Sequence, residues 1–169
     1  MNDEPLTAAS LEVKLGPLLL KRKLTLATAE SCTGGLIGHR LTNVSGSSEY
    51  FLGGVIAYSY DAKELLLGVR HNTLYDHGAV SPETAAEMAR GVRRAIGADI
   101  GISVTGIAGP GGGLPGKPVG LVYICLSARD FERVEKFIWD KDRVGNKWAS
   151  SEAALLMLQD YLAALPIAG

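Results

Sequence analysis

Two polar blocks rich in glycine each follow a short run of strand-forming residues in this 169-residue sequence. Residues 30–35 read Glu-Ser-Cys-Thr-Gly-Gly, and residues 106–116 contain six glycines. Glycine loses more backbone entropy on folding than other residues, so its concentration in a loop is unfavourable unless the bare backbone has a use. Successive backbone N–H groups that turn towards one point bind anions such as phosphate. The two blocks therefore predict two walls of one anion-binding site.

The second block also matches parts of two nucleotide-binding motifs. Gly111, Gly113 and Gly116 fit the G-x-G-x-x-G fingerprint. Gly111 and Gly116, together with Lys117, also fit most of the P-loop motif. Both motifs require a helix at the end of the loop, so that its first amides face phosphate. Here Pro118 replaces the Ser or Thr that would hold magnesium, and residues 119–126 predict a buried strand. We therefore reject a P-loop, disfavour a Rossmann site and expect no cofactor.

A serine and a lysine lie on either side of another predicted strand. Ser48 precedes this strand in a glycine turn, and Tyr58 and Lys63 follow it. A lysine acts as a general base only when it is neutral, which requires its pKa to fall from about 10.4 to near 7–8. Ser with Lys is a recognised alternative to Ser with His, and Tyr can relay the proton or hold the amine. The spacing alone favours the alternative that Lys63 pairs with Asp61 or Glu64 on a solvated face.

Polar residues at two further strand ends are candidates for ligand contacts. Ser31 lies between a predicted strand and a predicted helix. A hydroxyl and amide N–H groups at such a position can bind an anion or an oxyanion. The alternative is that Ser31 is an ordinary N-cap of the helix. Thr105 ends its strand at the mouth of the glycine loop, where polar residues of α/β proteins usually meet ligand. Cys32 lacks a neighbouring His or Cys, which favours a buried thiol over an activated thiolate.

The composition excludes several classes of protein. With 47% hydrophobic and 21% charged residues the chain is typical of a globular protein of one domain, 1–169. A net charge of −1 offers no basic surplus for nucleic acid, and no apolar stretch approaches the roughly 20 residues of a membrane span. The acidic opening does not resemble a signal peptide, and two cysteines favour a reducing cytoplasm. The three histidines lack the spacing of metal ligands, so we expect no metal.

The order of predicted elements indicates the fold class. Helices and strands alternate in the first half, whereas the last three strands run without intervening helices, which predicts an α/β fold with a mixed β-sheet flanked by helices. Helices are predicted at residues 6–22, 33–44, 61–67 and 144–163 and after the Ser81-Pro82 N-terminal signature, and strands at 24–29, 51–58, 100–105, 119–126 and 132–139.

Five of these blocks, in this order and at this spacing, resemble the CinA C-terminal domain family of competence/damage-inducible proteins. The blocks are residues 29–35, 46–48, 53–63, 78–81 and 105–112, and the resemblance extends over about residues 8–163. Stand-alone members of this family are similar to nicotinamide mononucleotide (NMN) amidohydrolases. The resemblance implies hydrolysis of NMN to nicotinic acid mononucleotide and ammonia, without metal or cofactor, in cytoplasmic pyridine nucleotide salvage.

The resemblance also implies roles for individual residues. Ser48 is the expected nucleophile, Lys63 the base and Tyr58 the group that orients them, with Ser31 as the other candidate for acylation. The Arg of a family Gly-Asp-Arg motif corresponds to Arg143, which here follows Lys141-Asp142, and is a candidate phosphate ligand. The expected substrate-binding residues are Ser31, Thr33, Gly34, Thr105, Gly106, Gly109, Gly111, Gly112 and Arg143.

Two further expectations concern the alternative function and self-association. The same domain is found fused to others, so a non-catalytic, nucleotide-binding regulatory module is the alternative to an enzyme. Phe51, Tyr60 and residues 65–67 give more apolar surface than one short helix buries, which predicts a homo-oligomer. The expected partners are thus the small-molecule substrate NMN and a second copy of the chain. We expect the chain to bind neither nucleic acid nor membrane.

Overall fold

The computed structural model describes residues 6–166. In this range its helices are α1 Leu11–Arg22, α2 Leu36–Thr42, α3 Tyr60–Leu67, α4 His71–His77, α5 Pro82–Ile96 and α6 Arg143–Ala164. Its strands are β1 Leu26–Glu30, β2 Phe51–Ile56, β3 Ile100–Gly106, β4 Leu121–Ser127 and β5 Glu132–Ile138. A 3-10 turn, Ser47–Glu49, immediately precedes β2.

The strands described form one mixed sheet in the order β2-β1-β3-β4-β5. Strands β2, β1 and β3 are parallel, and β4 and β5 are antiparallel to their neighbours. Glu30 at the end of β1 lies in register with Ile56 of β2 and Val104 of β3. The carboxyl ends of three strands therefore meet at one edge of the sheet. This is the α/β fold with a mixed sheet that the order of elements predicts.

Helices cover both faces of the sheet. Helices α1, α2 and α6 pack on one face around residues such as Leu15, Ile37 and Leu158, and α3, α4 and α5 pack on the other. All five positions of β1 are buried, as expected for a central parallel strand covered on both sides. Helix α5 approaches β3 so closely that a Cβ on Gly101 would lie 2.2 Å from the carbonyl oxygen of Ala89.

Several element boundaries differ from the prediction. Helix α2 begins at Leu36, not at Thr33, because the glycines before it adopt positive φ angles of 63° and 94° and form a turn. Residues 71–77 form the short helix α4, which is not among the helices predicted from the sequence. The predicted start of α5 is confirmed: the side chain of Ser81 accepts a hydrogen bond from the N–H of Thr84, and Pro82 occupies the first position.

The apolar residues from which we predict self-association differ in their exposure to solvent. Leu65 and Leu66 are 85% and 49% exposed, whereas Leu67 is buried under α5 and Phe51 is half-buried against α2. Self-association therefore stays a prediction that rests on the exposed apolar residues of α3, which include Tyr60, Leu65 and Leu66. Within residues 6–166 no helix is both long enough and apolar enough to cross a membrane.

A buried arginine joins the three helices of one face. The guanidinium of Arg40 in α2 donates to both carboxylate oxygens of Glu12 in α1, at 3.3 and 2.8 Å, and to Glu152 in α6 at 2.7 Å. It also lies 4.5 Å from the ring centre of Trp148. Burial alone raises the pKa of Glu12, but the hydrogen bonds and positive charge of Arg40 outweigh it and hold the pKa below its ordinary value.

Glu12→Gln should lower the free energy of unfolding at neutral pH by about 1–3 kcal/mol, because Arg40 loses a charged partner in a buried site. Because the folded-state pKa of Glu12 is lowered, its contribution is present above the unfolded pKa and is lost as pH falls through the folded value. Urea unfolding should therefore show the two proteins converging in acid. Glu132→Gln, which removes an exposed pairing with Arg90, is the matched control and should change stability by less than about 1 kcal/mol. Equal losses from the two variants would contradict the assignment.

Candidate active site

Ser31 and Lys63 meet at the carboxyl edge of the parallel strands. Ser31 is the first residue after β1, and Lys63 lies in the first turn of α3, which begins four residues after β2 ends. The hydroxyl of Ser59 caps α3 by accepting from the N–H of Ala62 at 3.1 Å, and this cap fixes the start of the helix. Lys63 Nζ lies 3.1 Å from Ser31 Oγ and donates to the carbonyl oxygen of Ala57 at 2.7 Å. A hydroxyl and an amine are thus held in direct contact.

The surroundings of Lys63 favour its neutral form. Its side chain is almost fully buried, at 1% exposure, and burial lowers its pKa from 10.5 to about 8. A neutral amine can donate one hydrogen to Ala57 and still accept the hydroxyl hydrogen of Ser31 with its lone pair. This is the geometry of a nucleophile in contact with its base. The neighbouring Cys32 is different, because burial raises the pKa of its thiol to about 12 and keeps it protonated.

These two residues form the floor of a pocket of about 270 Å³. Its walls come from the loop after β3, from the segment before α5 and from the start of α6. The lining residues are Ser31, Cys32, Tyr58, Lys63, Ala79, Val80, Thr105–Ala108, Gly109, Gly111, Gly112 and Arg143. These lining residues include the guanidinium of Arg143 and the amine of Lys63, and neither a carboxylate nor an imidazole. The pocket therefore favours anionic ligands, and Lys63 is the base that its lining offers.

Thr105 and the glycines of the following loop form one wall of this pocket. The Thr105 hydroxyl donates to the carbonyl oxygen of Ala79 at 2.6 Å, so its oxygen lone pairs are what remain for a ligand. A Cβ on Gly109 would lie 2.6 Å from the Val119 side chain, and its φ of 85° also requires glycine. Within the described residues, the N–H groups of Gly111 and Gly112 donate to no other protein group. They remain available to an anion.

Arg143 reaches the opposite rim of the pocket from the first position of α6. Its Nη1 donates to the carbonyl oxygen of Gly109 at 2.7 Å, and its Nη2 donates to the Tyr58 hydroxyl at 3.0 Å. Two of its five N–H donors are thus used to fix the guanidinium, and the others remain for a ligand. This corrects the expected role of Tyr58, which is 62% exposed and contacts Arg143 rather than the Ser–Lys pair.

The structure does not bring Ser48 to Lys63. Ser48 is exposed in the turn before β2, whereas Lys63 follows β2. Six strand residues rise by about 3.3 Å each, which puts roughly 20 Å between the two ends of β2. A base cannot take a proton across this distance. Because β1 and β2 are parallel neighbours, it is Ser31, at the end of β1, that lies beside Lys63.

Thr33 and Gly34 also lie outside the pocket lining, contrary to expectation. The Thr33 side chain is fully buried, and Gly34 has a φ of 63° in the turn that follows Ser31. A Cβ on Gly34 would lie 3.7 Å from Lys147 Nζ, which places this second basic residue of α6 beside the turn. These two residues shape the turn that presents Ser31 and are not ligand contacts in this arrangement.

Glu30 is a site-forming residue that the sequence analysis missed. Its carboxylate is 1% exposed and accepts hydrogen bonds from the N–H groups of Gly35, Ile37 and Gly38 at 3.0, 3.1 and 2.9 Å. It thereby caps α2 from the end of β1 and closes the turn that contains Ser31. An acidic residue at a strand end shortly before a predicted helix was the signal available in the sequence.

Other polar features of the described chain lie apart from this pocket. The three histidines are exposed, and no three His, Cys, Asp or Glu side chains in residues 6–166 lie close enough together to hold a metal ion. A larger hollow of about 510 Å³ adjoins Arg40, Trp148 and Glu152. Its arginine is already held by two carboxylates, and the residues described around it contain no serine in contact with a base.

Sequence comparison relates residues 8–162 to the CinA C-terminal domain family. A putative competence-damage inducible protein of Moorella thermoacetica is 55% identical over 149 residues, which are 88% of this chain and 36% of the relative. A second one, from Halothermothrix orenii, is 56% identical over 154 residues, or 90% of this chain and 37% of the relative. The chain thus spans little more than a third of the length of the curated relatives it matches.

Structural comparison points to the same group. The crystal structure of competence damage-inducible protein A from Klebsiella pneumoniae has a TM-score of 0.89 and 34% identity, and the match covers 92% of this chain and 97% of the other. The competence/damage inducible protein CihA from Agrobacterium tumefaciens has a TM-score of 0.85 and 39% identity, with 94% and 99% covered. Fold and sequence therefore agree over nearly the whole described chain.

Proposed function

This chain belongs to the CinA C-terminal domain family, and we propose that it hydrolyses the carboxamide of NMN to nicotinic acid mononucleotide and ammonia. The observation that carries the proposal is the buried contact of 3.1 Å between Ser31 Oγ and Lys63 Nζ, in a pocket whose rim holds Arg143. The pair supplies a nucleophile and a base, and the rim supplies a partner for phosphate. NMN carries a carboxamide at one end and a phosphate at the other.

Acylation begins with Lys63 in its neutral form. Lys63 Nζ takes the hydroxyl hydrogen of Ser31 as Oγ attacks the carboxamide carbon, and the carbonyl electrons move onto oxygen. The N–H group of Cys32, the residue after Ser31 in the pocket lining, is the candidate donor to this oxyanion, because it donates to no main-chain carbonyl in the described chain. The lysine ammonium then protonates the leaving nitrogen, ammonia departs, and an ester forms on Ser31.

Deacylation repeats these steps with water. The departure of ammonia leaves Lys63 neutral again, so Nζ can take a proton from a water molecule that attacks the ester carbon. Collapse of the second tetrahedral intermediate returns that proton to Ser31 Oγ and releases the carboxylic acid, which loses its own proton to water or to the departed ammonia. Lys63 acts as base and then as acid in each half of the reaction, which is favoured by a pKa of about 8, close to neutral pH.

Recognition of the nucleotide is assigned to the opposite rim. Arg143, Gly111 and Gly112 line the same pocket as Ser31, and within the described residues the N–H groups of the two glycines are not used by other main-chain groups. Charge-assisted hydrogen bonds to phosphate are among the stronger polar contacts in proteins. Because the described residues that line the pocket include no carboxylate, none of them opposes an anionic group there. We assign this activity to the cytoplasm.

Ser31→Ala and Lys63→Gln should each lower kcat for ammonia release from NMN by about 1,000-fold or more and change the affinity for NMN little, because both residues act in the transition state. The double variant should be little worse than either single one, since the two act as a unit. Ser48→Ala is the matched control and should keep wild-type turnover, because Ser48 lies at the far end of β2.

Near-normal turnover by Ser31→Ala would rule out covalent catalysis through this serine. If the wild-type protein binds NMN, as shown by a raised melting temperature, but releases no ammonia, the chain is instead a nucleotide-binding regulatory module. The length of the relatives, which are almost three times as long as their matched region, gives that second candidate its support.

The pH dependence of kcat/KM should report the titration of Lys63. Since the ammonium form cannot accept the Ser31 proton, the rate should fall about tenfold for each pH unit below the pKa of about 8 and level off above it. Measurement between about pH 7 and 9.5 avoids the second ionisation of the substrate phosphate near 6. A flat profile over this interval would show that Lys63 is not the base.

Arg143→Ala should raise KM for NMN by roughly 10- to 150-fold, the effect of losing one charge-assisted hydrogen bond, and should change kcat little. Nicotinamide riboside lacks the phosphate, so its kcat/KM should change much less. The exposed Arg133 of β5 lies outside the pocket, and Arg133→Ala controls for the loss of a surface charge. Equal losses on both substrates would show that Arg143 does not act through phosphate.

A further inference from the structure

Asn146 is a buried polar residue that the proposed mechanism does not use. It lies one turn into α6 with 1% exposure. Its side-chain nitrogen Nδ2 donates to the carbonyl oxygen of Ala108 at 3.0 Å, and its Oδ1 accepts from the N–H of Lys141 at 3.1 Å. One side chain thus joins the start of the glycine loop to the turn that leads into α6.

The two segments that Asn146 joins are the ones that form the anion-binding rim. Ala108 and Gly109 line the pocket, and the carbonyl oxygen of Gly109 accepts from Arg143 at 2.7 Å. Two consecutive carbonyl oxygens of the loop are therefore held by side chains from the first turns of α6. Lys141 lies two residues before Arg143, so the same amide also fixes the chain entering the helix.

We propose that Asn146 is a positioning residue which, by fixing the glycine loop against Arg143, sets the affinity of this site for the phosphate group of its substrate. The inference rests on the proposed function, because it concerns the same pocket. Asn146 touches no substrate in this account, and it acts through the main chain of Ala108 and Gly109. Its influence should therefore fall on phosphate recognition and not on the Ser31–Lys63 pair.

Removal of the Asn146 amide leaves a buried polar group of the loop without its partner. Without the amide, the buried carbonyl oxygen of Ala108 loses the side-chain donor that holds it, and an unpaired buried polar group is strongly unfavourable. The loop can relieve this by moving towards water. Gly111 and Gly112 then shift relative to Arg143, and the donors no longer converge on one phosphate. Ser31 and Lys63 are anchored separately by β1, α3 and Ala57, so their contact stays in place.

Two variants, Asn146→Ala and Asn146→Leu, test the proposal. The leucine fills the space of the asparagine with an apolar side chain of similar size. Each should raise KM for NMN by about 5- to 50-fold, kcat should stay within about threefold, and kcat/KM for nicotinamide riboside should be nearly unchanged. Ser150→Ala is the matched control: Ser150 is also fully buried on α6 but bonds to Trp139 and to its own helix, not to the loop. It should lower stability without changing the preference for phosphate.

Binding measured by calorimetry separates this inference from the proposed reaction. The dissociation constant of nicotinic acid mononucleotide should rise 5- to 50-fold in both Asn146 variants, and combining Asn146→Ala with Arg143→Ala should give less than the product of the two single effects, since both act on one rim. Nucleotide binding without any ammonia release would end the proposed reaction and leave this inference standing. Equal losses for ligands with and without phosphate, fully multiplicative effects, or no loss in the folded Asn146→Leu protein would overturn it.

Discussion

The burial of one amine is the constraint on which the rest of the site depends. A lysine loses hydration when it is enclosed, and enclosure lowers the pKa of Lys63 to about 8. Its hydrogen-bond partners are a carbonyl and a hydroxyl, which stabilise the neutral amine as well as the ammonium. Burial of Lys63 lowers the stability of the fold, fully below pH about 8 and less and less up to the ordinary lysine pKa of 10.5. In return, it gives the site a base near neutral pH. The elements around it must therefore be stable enough to hold a group that prefers water.

Parallel strands bring the reacting groups together. Ser31 follows β1, Lys63 follows β2 and Thr105 ends β3, and the three carboxyl ends lie in register. The antiparallel strands β4 and β5 contribute in a different way. They return the chain across the sheet, so that α6 begins beside the glycine loop and delivers Arg143 to its rim. The chemistry and the recognition of an anion thus come from two halves of one sheet.

Local patterns predicted what depends on local structure. Residue order and spacing indicated the mixed sheet, the Ser81 cap of α5 and the two polar walls that meet at Ser31 and Thr105. The length of the predicted strand at 51–58 already separates Ser48 from Lys63. That Ser31 lies beside Lys63 instead depends on the parallel pairing of β1 with β2, which joins residues far apart in the chain and could not be read from local patterns. The contact between Tyr58 and Arg143 could not be predicted from local patterns either, because the two residues are 85 positions apart.

Arg40 and Lys63 are the buried basic side chains within residues 6–166, and their hydrogen-bond partners decide what each of them does. Arg40 faces the carboxylates of Glu12 and Glu152, which neutralise its charge and make it a link between three helices. Lys63, equally buried, has no carboxylate among its hydrogen-bond partners. A carboxylate at Ala57 or Ser31 would hold the proton on Lys63 and remove its basicity. The neutral partners of Lys63 are therefore as much a part of the proposed catalytic machinery as the amine, because they leave its proton free to move.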